Sequence, residues 1–297
     1  MKKFLGIATA LALSGPVLAG TFSMDGQLDG AYGPALALQD TPTGFGNNTN
    51  PAIDFANGSE LNGAYGVIDG GNLRLMLTGN LESNFNKLDI FIDSVAGGQN
   101  QLRGDNADVD FNGLNRMGND GSGNGLRFDA GFDADYFLTF TGGNDPYQTF
   151  ANYATLATGG GGPGMFIGGP GGAGPGGILV GSNGITIAID NSNVGGVDGA
   201  SINDPSSVLT GIEILIPLSE LGNPTGDIRV SAFINGGGHD FLSNQVLGGI
   251  GGAGNLGEPR NVDFSAIGGN QYFTVVPEPA TLSLLTLGAI TLVRRRR

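Results

Sequence analysis

Apolar and polar residues alternate along several short stretches of this chain, and a period of two predicts β-strands rather than helices. Leu73, Leu75 and Leu77 alternate with Arg74, Met76 and Thr78. Leu88, Ile90 and Ile92 alternate with Asp89, Phe91 and Asp93, a strand with one face fully buried and the other partly so. Ile178 to Val180 and Ile185 to Ile189 flank the turn Gly181-Ser182-Asn183-Gly184 and read as a hairpin. Further strands are expected over 135–140, 149–156, 208–216, 228–234 and 271–275. One helical turn fits Leu218 to Leu221, ahead of Gly222. Many short strands separated by Gly, Asn, Asp and Pro predict one all-β domain, an antiparallel β-sandwich of jelly-roll or immunoglobulin-like type. The run 159–177, with twelve glycines among few side chains, is expected to be a floppy surface insertion rather than a phosphate loop, since no lysine and no helical pattern follow it.

The two ends follow a different pattern. Lys2 and Lys3 precede the apolar run Phe4 to Leu13, and Val17-Leu18-Ala19 supplies a cleavage pattern, so residues 1–19 are expected to be an export signal. At the other end Pro277-Glu278-Pro279 leads into an apolar run from Ala280 to Val293, then Arg294, Arg295, Arg296 and Arg297. The run is expected to form a single transmembrane helix, lengthened by snorkelling arginines that hold its cytoplasmic end. Turn, apolar run and arginine cluster in that order resemble the PEP-CTERM sorting signal of exported bacterial proteins. The resemblance implies an exosortase-type membrane protease as partner. It also implies a tether in the inner membrane before sorting, then a place at the cell surface or outside the cell.

Between the two ends, seven basic residues face twenty-six acidic ones, a net charge of −19 against −14 for the whole chain. Such a domain repels phosphates, which excludes nucleic acid as a partner, and it attracts divalent cations. The chain has no Cys, so neither disulfides nor thiol chemistry are available to it. Four segments, LRLMLTGNLESNFNKLDIFIDSVAGGQN from Leu73, LRFDAGFDADYFL from Leu126, IEILIPLSELG from Ile212 and FLSNQVL from Phe241, follow one another in an order that resembles DOMON domains and the ninth family of carbohydrate-binding modules. That resemblance implies a β-sandwich over most of 26–275 and a glycan as ligand. The tryptophans that such modules use as sugar platforms are missing, and with His239 the sole histidine the resemblance does not extend to haem binding.

Candidate chemistry is sparse. Asp108-Val109-Asp110-Phe111-Asn112-Gly113 fits the first half of a calcium loop, with Asp108, Asp110 and Asn112 as oxygen ligands. Position twelve of that loop is Asn119, so Asp120 would complete the set; the other reading is a plain Asx-rich turn. Asp129, Asp133, Asp135 and Asp145 could pair for glycoside hydrolysis only if two of them face each other. His239, in Gly236-Gly237-Gly238-His239-Asp240, reads as a loop residue, since no G-x-S-x-G elbow accompanies it and Ser243 has no supporting context. Tyr32, Tyr65, Tyr136, Tyr147, Tyr153 and Tyr272 are either core residues or sugar-stacking faces. The expectation is an exported, non-catalytic surface or matrix protein, structural or adhesive, with exopolysaccharide and calcium as candidate partners. The alternative is a secreted carbohydrate-binding module or carbohydrate-active enzyme.

Overall fold

The computed structural model describes residues 20–45, 58–169, 177–193, 204–252 and 254–277. The export segment 1–19, Glu278, Pro279, the apolar run 280–293 and Arg294 to Arg297 lie outside the described residues. Among those described, no helix is long and apolar enough to cross a membrane.

Among the described residues, thirteen strands follow in chain order. They are β1 (Ala37–Leu38), β2 (Glu60–Asp69), β3 (Asn72–Asn80), β4 (Asn84–Asp93), β5 (Tyr136–Gly143), β6 (Gln148–Thr155) and β7 (Gly164–Gly168). After these come β8 (Gly177–Val180), β9 (Thr186–Ile189), β10 (Gly211–Pro217), β11 (Ile228–Asn235), β12 (Leu242–Val246) and β13 (Phe273–Val275). They form two antiparallel sheets, one in the order β1-β2-β3-β10-β9-β8 and one in the order β12-β11-β4-β5-β6-β7, with β13 also pairing to β11. The chain therefore builds part of the first sheet, most of the second, and then returns to each in turn. The expected all-β sandwich is what these sheets make.

The alternation read in the sequence sets the layers. Leu73, Leu75 and Leu77 from β3, Ile212, Ile214 and Ile216 from β10, and Leu88, Ile90 and Ile92 from β4 meet in one core between the sheets. Each such side chain contributes about 1.5–3 kcal/mol by leaving water. The hairpin β8–β9 forms as expected, with the amide of Gly181 bonded to the carbonyl of Ile185 at 2.8 Å. Leu218–Leu221 forms a single 3-10 turn, ended by Gly222 in the left-handed region at φ 74°. Gly70 and Gly71, at φ 56° and 80°, make the two-residue turn that joins β2 to β3.

Two features depart from the expectation. The glycine-rich run is not all loop: Gly164–Gly168 pairs with β6 as an edge strand and buries Ile167. And the outer face of the second sheet is not half-wet, as the Asp89-Phe91-Asp93 pattern suggested. Asp89 and Phe91 are fully buried. The long connection between β4 and β5, with the single helical turn α1 (Gly113–Arg116), lies across that face together with the segment between β12 and β13. Leu102, Leu126, Phe128 and Phe264 from these segments close over Phe91, Phe137 and Phe233 to make a second core. Backbone bonds stitch this cover together: Arg127 N–H to Val262 at 3.0 Å, Phe264 N–H to Arg127 at 2.9 Å and Asn119 N–H to Leu102 at 2.9 Å.

Candidate functional site

The cover stops short of one end of the second sheet, and the residues at that boundary form the most distinctive chemistry of the molecule. Lys87 and Asp89 point outward from β4, on the same face as Phe91. His239, in the turn between β11 and β12, donates from Nδ1 to Asp89 Oδ2 at 3.0 Å and from Nε2 to Asp110 Oδ2 at 2.7 Å. Lys87 Nζ meets the same Asp110 oxygen at 2.7 Å. The side chains of Asp89 and His239 are 0% and 1% exposed, and those of Asp110 and Lys87 6% and 7%. A neutral imidazole has one N–H, so a ring with a carboxylate at each nitrogen is an imidazolium. The cations of His239 and Lys87 then offset the two carboxylates, which is what allows four ionisable groups to share a buried site. Burial alone would favour the neutral ring. The charge of Asp89 and the bonds to Asp110 and Asp89 overcome it and push the imidazole up to about 9. Burial likewise opposes the ionised Asp110, but the hydrogen bonds and charges of His239 and Lys87 win and hold its carboxyl below the ordinary 3.8.

Beside this network lies an open groove of about 470 Å³, lined by Phe85, Lys87, Asp110, Phe111, Thr141, Phe150, Asn152 and Phe166. Strand register explains the lining. Lys87 pairs with Thr141, Thr141 with Phe150, and Asn152 with Phe166, so β4 to β7 present all of them on the outer face. Phe111 is fully solvent-exposed at 101%, Phe166 is 55% exposed and Phe85 37%. Gly143 is where Phe85 rests: a Cβ there would sit 2.5 Å from the ring. Phe111 is held out by an unusual backbone. Asp110, Phe111 and Asn112 are consecutive non-glycine residues at φ 48°, 55° and 65°, and Phe85 has φ 64°. Left-handed conformations disfavour residues with a Cβ, and for bulky ones the cost is of order 1–3 kcal/mol. The groove offers flat apolar faces above a floor of hydrogen-bonding groups. Its one carboxylate, Asp110, is already bonded to Lys87 and His239, whereas glycoside hydrolysis asks for two facing carboxyls.

A second cleft of about 410 Å³ shares Asp110 and Phe111 with the groove and has Gly113, Arg116, Asn119, Asp120, His239 and Arg260 among its walls. Its arginines are occupied. Arg116 grips Glu258 through two bonds of 2.8 and 2.6 Å, and Arg260 reaches Asp120 at 3.0 Å. The Arg116 bonds hold the Glu258 carboxyl down at about 2.

The residues singled out from the sequence fall into different places. Of the expected calcium ligands, Asp110 is engaged with Lys87 and His239, and Asp120 accepts from Ser122, Asn124 and Arg260. Asn112 Oδ1 accepts from Asn115 at 2.8 Å, and Asp108 is exposed. Among the described residues no group of three or more His, Cys, Asp or Glu is arranged to hold a metal. Asp129 accepts from the Gln271 amide, and Asp135 from the amides of Ser94 and Val95, while Asp133 and Asp145 are exposed turn residues. Burial raises both Asp129 and Asp135, against the pull of those backbone bonds. Five tyrosines, Tyr32, Tyr65, Tyr136, Tyr147 and Tyr153, are at most 8% exposed and Tyr272 is half-buried, so they are core residues rather than sugar platforms. His239 does sit in a loop, but a buried one. The exposed rings are phenylalanines, which sequence reasoning missed; the signal available was Phe111, an aromatic set among turn formers.

The tail root lies far from the groove. Val275 pairs with Ile228, at the end of β11 that lies beside Asp93, whereas Lys87 pairs with Asn235 at the other end. Six residues of strand, roughly 20 Å, separate the two ends, and Pro277 leaves from the end opposite the groove. No curated protein and no solved structure matches the chain. Residues 275–297 match the PEP-CTERM protein-sorting motif, which marks this chain as an exported protein sorted by an exosortase.

Proposed function

We propose that the protein is a non-catalytic surface or matrix protein. It is tethered in the inner membrane by the run 280–293 before sorting, then displayed at the cell surface or released, where it does structural or adhesive work in contact with exopolysaccharide. The observation that carries this reading is the sorting motif at 275–297 behind a folded, strongly acidic sandwich. The tail addresses the protein and the sandwich is the delivered part. The test compares cells making the full chain with cells making a chain that ends at Val276. The truncated protein is expected in the medium or periplasm with an unchanged melting temperature, since β13 is intact. Retention of the truncated protein in the membrane fraction would overturn the reading.

A second reading, a secreted carbohydrate-binding module or carbohydrate-active enzyme, is favoured by the aromatic groove. Incubation with a polysaccharide panel separates the two: hydrolysed product from any of them would replace the first reading with an enzymatic one.

A further inference from the structure

We propose that the phenylalanine groove on the outer face of the second sheet is a binding site for an uncharged polysaccharide strand. The proposal rests on the adhesive reading above and names its contact face. Ring exposure, backbone conformation and charge converge on it. Rings in a soluble domain usually turn inward, yet Phe111 and Phe166 are 101% and 55% exposed and both line one cleft. Large exposed apolar patches rimmed by polar groups mark contact surfaces. The backbone also spends strain on two of the groove's rings, Phe85 and Phe111, which are both in the left-handed region. Such strain persists where the surrounding structure enforces it, and here Gly113 N–H bonds to the carbonyls of Val109 and Asp110 to close the turn.

Charge chooses among ligands. Lys87 is the groove's only cation and is ion-paired to Asp110, its only anion, so the floor presents a neutralised pair. The domain around it carries −19, which repels acidic polymers. A free acidic cluster that would draw a cation into the groove is missing from its lining. An uncharged sugar fits what remains: the C–H face of a pyranose packs on a ring, and its hydroxyls meet Asn152 and the remaining N–H bonds of Lys87. Thr141 Oγ1 meets them as an acceptor only, since that hydroxyl donates to the Asn86 carbonyl at 2.7 Å. A cleft of about 470 Å³ falls within the roughly 300–1,000 Å³ range of ligand sites. Its place at the end of the sheet opposite Pro277 leaves it open to a polymer while the chain is tethered.

The test uses the full chain extracted from cells in mild detergent, titrated with a neutral β-glucan, a neutral galactomannan and acidic alginate. Binding to at least one neutral polymer is expected, with alginate much weaker. The double variant Phe111→Ala/Phe166→Ala should bind about tenfold or more weakly, with its melting temperature close to that of the parent. Leu209→Ala, at an apolar residue about as exposed as Phe166 but outside the groove, should bind as the parent does. Failure to bind either neutral polymer, or equal binding by the double variant, overturns the proposal, as does loss in the double variant of self-association or of detergent binding alone. These failures are distinct from failure of the adhesive reading. If the sorted protein still joins cells to their matrix after the groove rings are removed, adhesion stands and the groove assignment falls.

Discussion

His239 is fixed as a cation by geometry, and that fixes how stability depends on pH. Its pKa, raised from an ordinary 6.5 to about 9, contributes stability that is fully present below pH 6.5 and is lost as pH rises through 9. The difference corresponds to on the order of 3 kcal/mol. Asp110 works in the opposite sense: its lowered carboxyl contributes stability above about pH 4 that is lost as pH falls further. These two groups together favour the fold most between about pH 4 and 6.5, while the raised carboxyls of Asp129 and Asp135 pull towards lower pH. His239→Gln leaves Asp89 and Asp110 short of a cation in a buried site, a change that costs about 3–5 kcal/mol. Thermal unfolding from pH 6 to 10 should find the variant less stable at pH 6 and nearly flat above it; a variant with the parent's alkaline slope would assign that slope elsewhere. None of this was legible in the sequence. Asp89 and Asp110 lie 150 and 129 residues away from His239, and a histidine among glycines carries the same local signal whether it is wet or buried. Asp110 was legible as a carboxylate in a tight turn, but not as the partner of a lysine on β4.

Strands that face the inter-sheet core were legible because their alternation is a direct consequence of the pleat. Leu73 to Leu77 and Leu88 to Ile92 could face one way only. Glu60–Asp69 was not legible, since ELNGAYGVID mixes glycine and polar residues, and its burial comes from pairing with β3 and from Tyr32 and Phe22 packing over Tyr65. The cover between β4 and β5 was harder still, because its contacts are irregular loops laid on a sheet and have no period. That cover makes a prediction about β4. Were the outer face a solvent face, Phe91→Ala would be mild. The ring instead meets Phe128, Phe137 and Phe233 at centroid distances of 4.9, 5.0 and 5.9 Å. Truncation leaves a cavity that should cost about 3–5 kcal/mol in denaturant unfolding, as much as a large truncation in the inter-sheet core. A loss below 1 kcal/mol would mean that the cover does not pack as described.

For the whole molecule, the position of the tail root relative to the groove decides what the domain presents to its surroundings. β13 delivers the chain to Val276 at one end of the second sheet, and Phe111 stands at the other. Under the proposed tether, a chain held by residues 280–293 would keep its root nearest the bilayer and its rings away from it. Because the protein contains no cysteine, a single introduced thiol reports its own position. In spheroplasts of cells without exosortase activity, where the chain stays tethered, Phe111→Cys should react with a bulky, membrane-impermeant maleimide several-fold faster than Val276→Cys. Both native side chains are well exposed in the folded domain, at 101% and 62%, so once the protein is extracted into detergent and detached from the tail by truncation the two rates should converge. Equal rates on the spheroplasts would mean that the domain lies on its side against the membrane, and the outward-facing groove would have to be abandoned. A faster Phe111 thiol that slows when a neutral polysaccharide is added would join the two scales: the ring strained into solvent at one residue is the part that the sorting signal carries outward.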